Sequence, residues 1–132
     1  MIEKTNRNIA DFLPVFAKER PYDKAIIIPH GKDHDNRVAY THFTYSQLNK
    51  DSDCIARGLY SIGLREKDLC ALMVKPGLNF FSLMYGLFKA GIVPVLIDPG
   101  IGMKSLKSCL NEVSPKGFIG IAAAQIARIV LG

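Results

Sequence analysis

Three short apolar runs, Leu69 to Val74, Val93 to Ile97 and Phe118 to Ile121, lack any alternation of apolar and polar residues, and each is followed by a segment of helical character. A strand with one face in water alternates; a run that does not alternate must be covered on both faces, which is the condition of a strand in a parallel sheet. The segments between the runs are Leu78 to Ala90, closed by Gly91, and Met103 to Val113, where Met103, Leu106, Leu110 and Val113 recur at helical spacing. Strand, helix, strand, helix, strand predicts an α/β fold with a parallel βαβαβ unit and right-handed crossovers. The first of these helices is apolar almost all round (Phe80, Phe81, Leu83, Met84, Leu87, Phe88) and is expected to be buried. A last helical stretch, Ala122 to Leu131, follows the third strand. Because a three-stranded parallel sheet continues or is covered, the chain is expected to be the front piece of something larger.

Upstream of the sheet the pattern differs. Asn8 is placed to cap a short helix with Ile9, Phe12, Leu13 and Phe16 on one face; Pro14 falls inside it and is expected to confine it to a turn or two on either side, and Pro21 ends it. Ala25 to Ile28 and Arg37 to Thr44 read as two strands of an antiparallel hairpin at an edge, with the polar stretch from Pro29 to Asn36 as their loop. Thr44 and Gln47 match a capping box, in which each side chain satisfies a free backbone N–H at a helix start. Leu48, Ser52, Ile55, Leu59 and Ile62 then form one helical stripe, and Gly63 stops it.

A length of 132 residues suits a single domain, with no internal repeat and no dividing linker. Apolar residues make up 48% of the chain and charged ones 22%, enough burial to fold and too little charge for disorder. The net charge of +5 comes from cations spread singly from Lys4 to Arg128 among acidic residues, so the phosphate-tracking face of a nucleic-acid binder is missing. Cys54, Cys70 and Cys109 are odd in number and far apart, which signals neither a disulfide framework nor a zinc site and fits a reducing, cytoplasmic compartment. Met1 to Arg7 lacks the apolar core of a signal peptide, and no greasy stretch is long enough to span a bilayer. A soluble protein is expected.

The short motifs have simple explanations. Gly100-Ile101-Gly102 lies between a strand and a helix, the setting of a dinucleotide fingerprint, but position 105 is Ser and no acidic residue ends a strand about 20 residues on. Asp98-Pro99-Gly100 reads more simply as a turn, with Gly102 near a helix cap. Lys104-Ser105 lacks the upstream glycines of a P-loop, and Ser114-Pro115-Lys116-Gly117 is a loop between helix and strand. His30, His34 and His42 lie in or beside the hairpin with Asp33 and Asp35; the stretch reads as a solvated loop rather than a metal site. No nucleophile is paired with a base, so no catalytic, cofactor-binding or metal-binding residue is assigned.

The series Phe43-Thr44-Tyr45-Ser46-Gln47-Leu48, Ser52, Ala56, Leu59, Gly63 and Asp68 resembles the opening of the adenylate-forming acyl-CoA synthetases. The resemblance continues, in order and spacing, through Leu72-Met73-Val74-Lys75-Pro76, Phe88-Lys89-Ala90-Gly91 and Val93-Pro94-Val95-Leu96-Ile97-Asp98-Pro99. It covers nearly the whole chain. Asp98 to Gly102 with Phe118 to Ile121 is most similar to the fatty-acid–CoA ligase branch that includes the beta-lactone synthetases of bacterial olefin biosynthesis.

That resemblance implies an enzyme using ATP and magnesium to turn a fatty or beta-hydroxy acid into an acyl-adenylate. The acyl group then passes to coenzyme A, or, in the lactone-forming branch, the acid closes on itself. It further implies that residues 1–132 are the N-terminal part of the AMP-binding domain, ending before the Ser/Thr/Gly-rich phosphate loop, the aromatic-Gly-x-Thr-Glu motif, the ribose-binding Asp and the catalytic Lys. Without those groups the segment is expected to be inert, to bind no cofactor, and to have the rest of its own polypeptide as partner. The rival expectation is a stand-alone binding module, which a natural stop codon after Gly132 would favour. Ligands of open parallel sheets gather beyond the carboxyl ends of strands, so the loops carrying Lys75 and Asn79, and Asp98 and Gly100, are expected nearest a site. The simpler roles are a helix cap for Asn79 and a turn former for Asp98. A bare sheet edge and uncovered apolar surface are expected to let the segment self-associate.

Overall fold

The structure is a computed structural model and describes residues 8–121; the helix expected over 122–131 and the start of the chain lie outside them. Asn8 opens the described chain with a capping box to Asp11, which starts a 3-10 turn (Ile9–Asp11) running into helix α1 (Phe12–Glu19). Pro14 sits in the first turn of α1, where its missing N–H has no intrahelical acceptor to lose. It therefore does not divide the helix. Strands β1 (Lys24–Lys32) and β2 (Val38–Thr44) form the antiparallel hairpin.

The hairpin loop is shorter than the sequence predicts. Pro29 pairs with Tyr40 and Lys32 with Val38, with an irregularity between them where Gly31 takes φ +70°. An isolated ribbon tolerates proline and a bulge that a central strand would not. The true turn is tied by Asp33, whose Oδ1 accepts from the N–H groups of Asp35 and Arg37, each at 2.9 Å.

Helix α2 (Tyr45–Ser61) begins at the predicted box, Gln47 N–H to Thr44 Oγ1 at 3.2 Å and Thr44 N–H to Gln47 Oε1 at 2.9 Å. Gly63 follows it with φ +97°. The buried stripe is Leu48, Ser52 and Leu59, with Ile55 packed beside it; Ile62 lies past the last helical turn and is 74% exposed.

Next come β3 (Leu69–Met73), α3 (Leu78–Lys89), β4 (Val93–Leu96), α4 (Met103–Val113) and β5 (Gly117–Gly120). The strands form a parallel sheet in the order β4-β3-β5. Central β3 divides two cores. Cys70 and Leu72 pack with Leu59, Leu64, Leu87, Ala90 and Ile92 of the α2–α3 side, whereas Ala71 and Met73 pack with Ile97 and Leu106 of the α4 side.

Coverage on both faces holds for β3 but not for β4, which forms an outer edge and leaves Val93 45% and Leu96 56% exposed. Helix α3 is likewise only partly sunk. Ser82, Gly86 and Leu87 are buried, Asn79 is exposed, and the aromatic residues are half-buried because α2 and the sheet cover only part of its circumference. Among the described residues no helix is long and apolar enough to cross a membrane.

Helices α2 and α3 approach closely. A Cβ at Gly86 would stand 2.4 Å from Ile55 Cγ2 and 2.8 Å from Ile55 Cβ, too near to be absorbed by a flexible side-chain end. The carbonyls at the end of α3 are held from outside: Asn8 Nδ2 donates to Phe88 O, and Tyr60 Oη donates to Ala90 O at 2.9 Å.

Two stability outcomes are expected. Gly86→Ala should lower stability in urea unfolding by about 1–3 kcal/mol through overpacking, more than the ~1 kcal/mol of helix propensity it gains, and adding Ile55→Val should recover part of the loss. The second concerns Asp68, whose Oδ2 accepts from Lys116 Nζ at 2.9 Å and from Arg65 N–H at 2.6 Å, fastening the loop before β5 to the loop before β3. The Lys116 hydrogen bond, then the Arg65 one, holds this carboxyl below the ordinary aspartate value of 3.8. Its folded pKa is depressed, so its contribution is complete above that ordinary value and lost as pH falls through the folded value. Asp68→Asn should therefore flatten the acid limb of a stability-against-pH curve below about pH 4 while leaving its shape near neutrality unchanged.

Candidate functional site at the carboxyl ends of the sheet

Strands β3 and β4 run parallel with Leu72 opposite Leu96, so the loops that leave them, residues 74–77 and 97–102, emerge at the same end of the sheet. The chain passes from β3 outward to β4 and then back across to β5. With right-handed crossovers, that reversal sends α3 to one face and α4 to the other, as the two cores record. Neighbouring strands whose following helices diverge leave a crevice between their loops, the usual ligand position in open α/β sheets.

The four loop residues singled out in the sequence all lie at this end. Lys75 is exposed, and no recorded ion pair among the described residues involves it. Asn79 is the second residue of α3 and does not cap it; the cap position is Gly77, whose backbone is fully extended, and no side chain serves there. Asp98 does form its turn, with Oδ1 accepting from Gly100 N–H at 2.8 Å and its carbonyl accepting from Ile101 N–H at 3.0 Å. Gly102 is the cap of α4, again without a side-chain partner. Both α3 and α4 thus begin at the crevice with first-turn N–H groups unmatched by a cap. The hairpin also reaches this end, since Ile28 is the side chain nearest to Gly77.

The other candidates are not drawn into a site. His34 contacts Asp35 at 3.2 Å, and Arg37 engages both Asp33 and Asp35. Among the described residues no three His, Cys, Asp or Glu side chains gather where they could hold a metal. The Cys70 thiol is pushed up to about 11 by burial, which makes it a packing group rather than a nucleophile. Phe43, Gln47, Lys50, Asp51 and Cys54 line a shallow, open groove on α2, but Gln47 there is committed to the helix cap.

Lys89 was not legible as a site residue. Its ammonium, on a side chain only 11% exposed, donates to Asn49 Oδ1 at 2.7 Å, Asn49 O at 3.1 Å and Asp53 Oδ1 at 2.7 Å. The one signal for this is a lysine closing an apolar helix, with Asn49 and Asp53 spaced four apart on its neighbour.

The sequence pattern described as "AMP-binding enzyme" matches residues 14–130. The chain is 47% identical over 125 residues to an olefin beta-lactone synthetase of Xanthomonas campestris, and 46% identical over 126 residues to one of Stenotrophomonas maltophilia. Each alignment covers 94% of this chain, which spans 22% and 23% of those relatives' lengths. Among solved structures, a Mycobacterium tuberculosis fatty acyl CoA synthetase superposes with a TM-score of 0.75 at 23% identity, over 93% of this chain and 23% of that one. The α/β arrangement is therefore that of the N-terminal region of such ligases, and by the match across residues 14–130 the chain belongs to the AMP-binding enzyme family.

Proposed function

We propose that residues 1–132 are the N-terminal part of the acyl-activating domain of an ATP-dependent enzyme, and that they build one wall of its crevice without performing chemistry alone. The reaction is attack of a fatty-acid carboxylate on ATP, giving an acyl-adenylate and pyrophosphate, then transfer of the acyl group to a thiol such as coenzyme A. The observation that carries this reading is the family match together with a crevice at the switch point of the sheet. ATP, magnesium and coenzyme A belong to the longer polypeptide. Lys75, Asn79, Asp98 and Gly100 are the residues of this segment nearest them, and a cytoplasmic setting fits three free cysteines.

A second reading, closure of a beta-hydroxy acid to a beta-lactone after adenylation, is favoured by identities of 46–47% to the olefin beta-lactone synthetases, against 23% for the fatty acyl CoA synthetase structure. Inertness of the segment belongs to the same reading, in which the groups that position the triphosphate and stabilise its charge lie further along the polypeptide.

The test has two arms. The 132-residue chain, mixed with ATP, magnesium and a panel of fatty and beta-hydroxy acids, should release no pyrophosphate above blank and give no heat of ATP binding in calorimetry. A chimera carrying these residues in place of the matching segment of the Xanthomonas enzyme should release pyrophosphate within about tenfold of its parent, a barrier change of about 1.4 kcal/mol. Activity of the short chain would sink the inert-wall reading, and a folded but inactive chimera would sink the family role. Release with beta-hydroxy acids in the absence of coenzyme A would select the lactone branch.

A further inference from the structure

Helix α3 runs from one end of the sheet to the other. Its first residues, Leu78 and Asn79, stand at the crevice, and its last, Lys89, lies about 17 Å away at the opposite end. The two ends are fastened unequally. At the far end Asn8 Nδ2 donates to Phe88 O, Tyr60 Oη donates to Ala90 O at 2.9 Å, and the Lys89 ammonium donates to Asn49 Oδ1 and Asp53 Oδ1, each at 2.7 Å. At the crevice end no side chain caps Gly77, and Ile28 Cδ1 is the nearest side-chain atom, 3.9 Å from where a Cβ would stand.

Among the ties at the far end, the one from Lys89 is charged, and it grips two successive turns of α2, since Asn49 and Asp53 lie four residues apart. Its side chain is only 11% exposed. Taking an ammonium out of water is costly, and an apolar side chain of similar length would pack there without that cost, so the pair is a poor source of stability. A charged tie supplies something an apolar contact does not: it holds only where the ammonium meets its acceptors, and so it fixes how far α3 slides along α2. The small buried residues of the two helices, Ser52, Ser82 and Gly86, offer little side-chain volume to do the same.

We propose that Lys89 is a positioning residue for the crevice: by fixing the register of α3 on α2, it sets where Lys75 to Asn79 stand relative to the loop of Asp98 and Gly100. A helix is stiff, so an axial shift at one end is passed to the other. The bearing on catalysis rests on the function proposed above; the shift itself is a property of this chain.

The experiment has a structural arm and a kinetic arm. In the 132-residue chain, Lys89→Met keeps most of the stem and removes the ammonium, and should displace the amide resonances of Lys75, Gly77, Leu78 and Asn79 while leaving those of α4 in place. Asp53→Ala, at a half-exposed position where truncation is compatible with folding, should move the same resonances in the same direction by a smaller amount. In the chimera, Lys89→Met should raise the KM for the acid or for ATP by about tenfold, with kcat per folded enzyme within about twofold of the unsubstituted chimera. Leu106→Val, which loosens the opposite core, should leave both KM values unchanged. Resonance changes confined to the neighbours of Asn49, Asp53 and Lys89, or spread evenly over both cores, would overturn the proposal. So would KM values that stay fixed while kcat falls, or that rise equally in Leu106→Val. An unsubstituted chimera that is folded but inactive refutes the family role instead, and the resonances then decide the register role alone.

Discussion

Four consecutive side chains of β3, Cys70 to Met73, are buried and point alternately into two separate cores. Everything else is arranged by that constraint. A strand with both faces dry needs a strand on each side for its hydrogen bonds and a helix on each face for its side chains, and the chain supplies these as β4, β5, the α2–α3 pair and α4. The reversal from β4 back to β5 is the only way to flank β3 on both sides with two crossovers. That same reversal separates α3 from α4 and opens the crevice. Packing and site geometry therefore have one cause.

The α2–α3 pair shows how the upper core is kept at fixed spacing. Ser52 and Ser82 are buried, and Gly86 lies against Ile55 with no room for a side chain. Small residues let the helices approach; they also leave little side-chain volume to hold register. Lys89 supplies it from the end of the interface, spanning from α3 to Asn49 and Asp53. Breaking such a contact leaves a charge in a site with little water, so the clamp resists sliding more than its net contribution to stability suggests.

Much of this was legible because local and global signals agreed. The non-alternating runs marked the strands, and the Thr44–Gln47 box marked the start of α2 to the residue. The misreadings have physical reasons. Pro29 and Gly31 look like loop residues because proline and positive φ are excluded from central strands, but β1 belongs to a two-stranded ribbon where neither is costly. Exposure of Val93 and Leu96 could not be read from polarity, since an apolar edge strand and an apolar central strand have the same composition. Topology locates Lys75, Asn79, Asp98 and Gly100 at one end of the sheet. Asn79 looked like a cap by residue type, yet two positions upstream Gly77 takes the cap position with its backbone.

The unequal treatment of edges bears on what kind of unit the sheet is. A free-standing three-stranded sheet would gain from blunting both flanks, because either can recruit another strand. Here proline stands outward on β4, while β5 ends in a neutral run of small and aliphatic residues around Phe118. Proline on β4 costs nothing to the ladder with β3, because residue 94 faces away from it. At 117 and 119 the same substitution would cost packing, because a Cβ at Gly117 would stand 2.8 Å from Leu64 Cδ1 and Ile119 packs against the Cys70–Leu72 core, so the absence of proline on β5 follows from the internal demands of the βαβαβ unit.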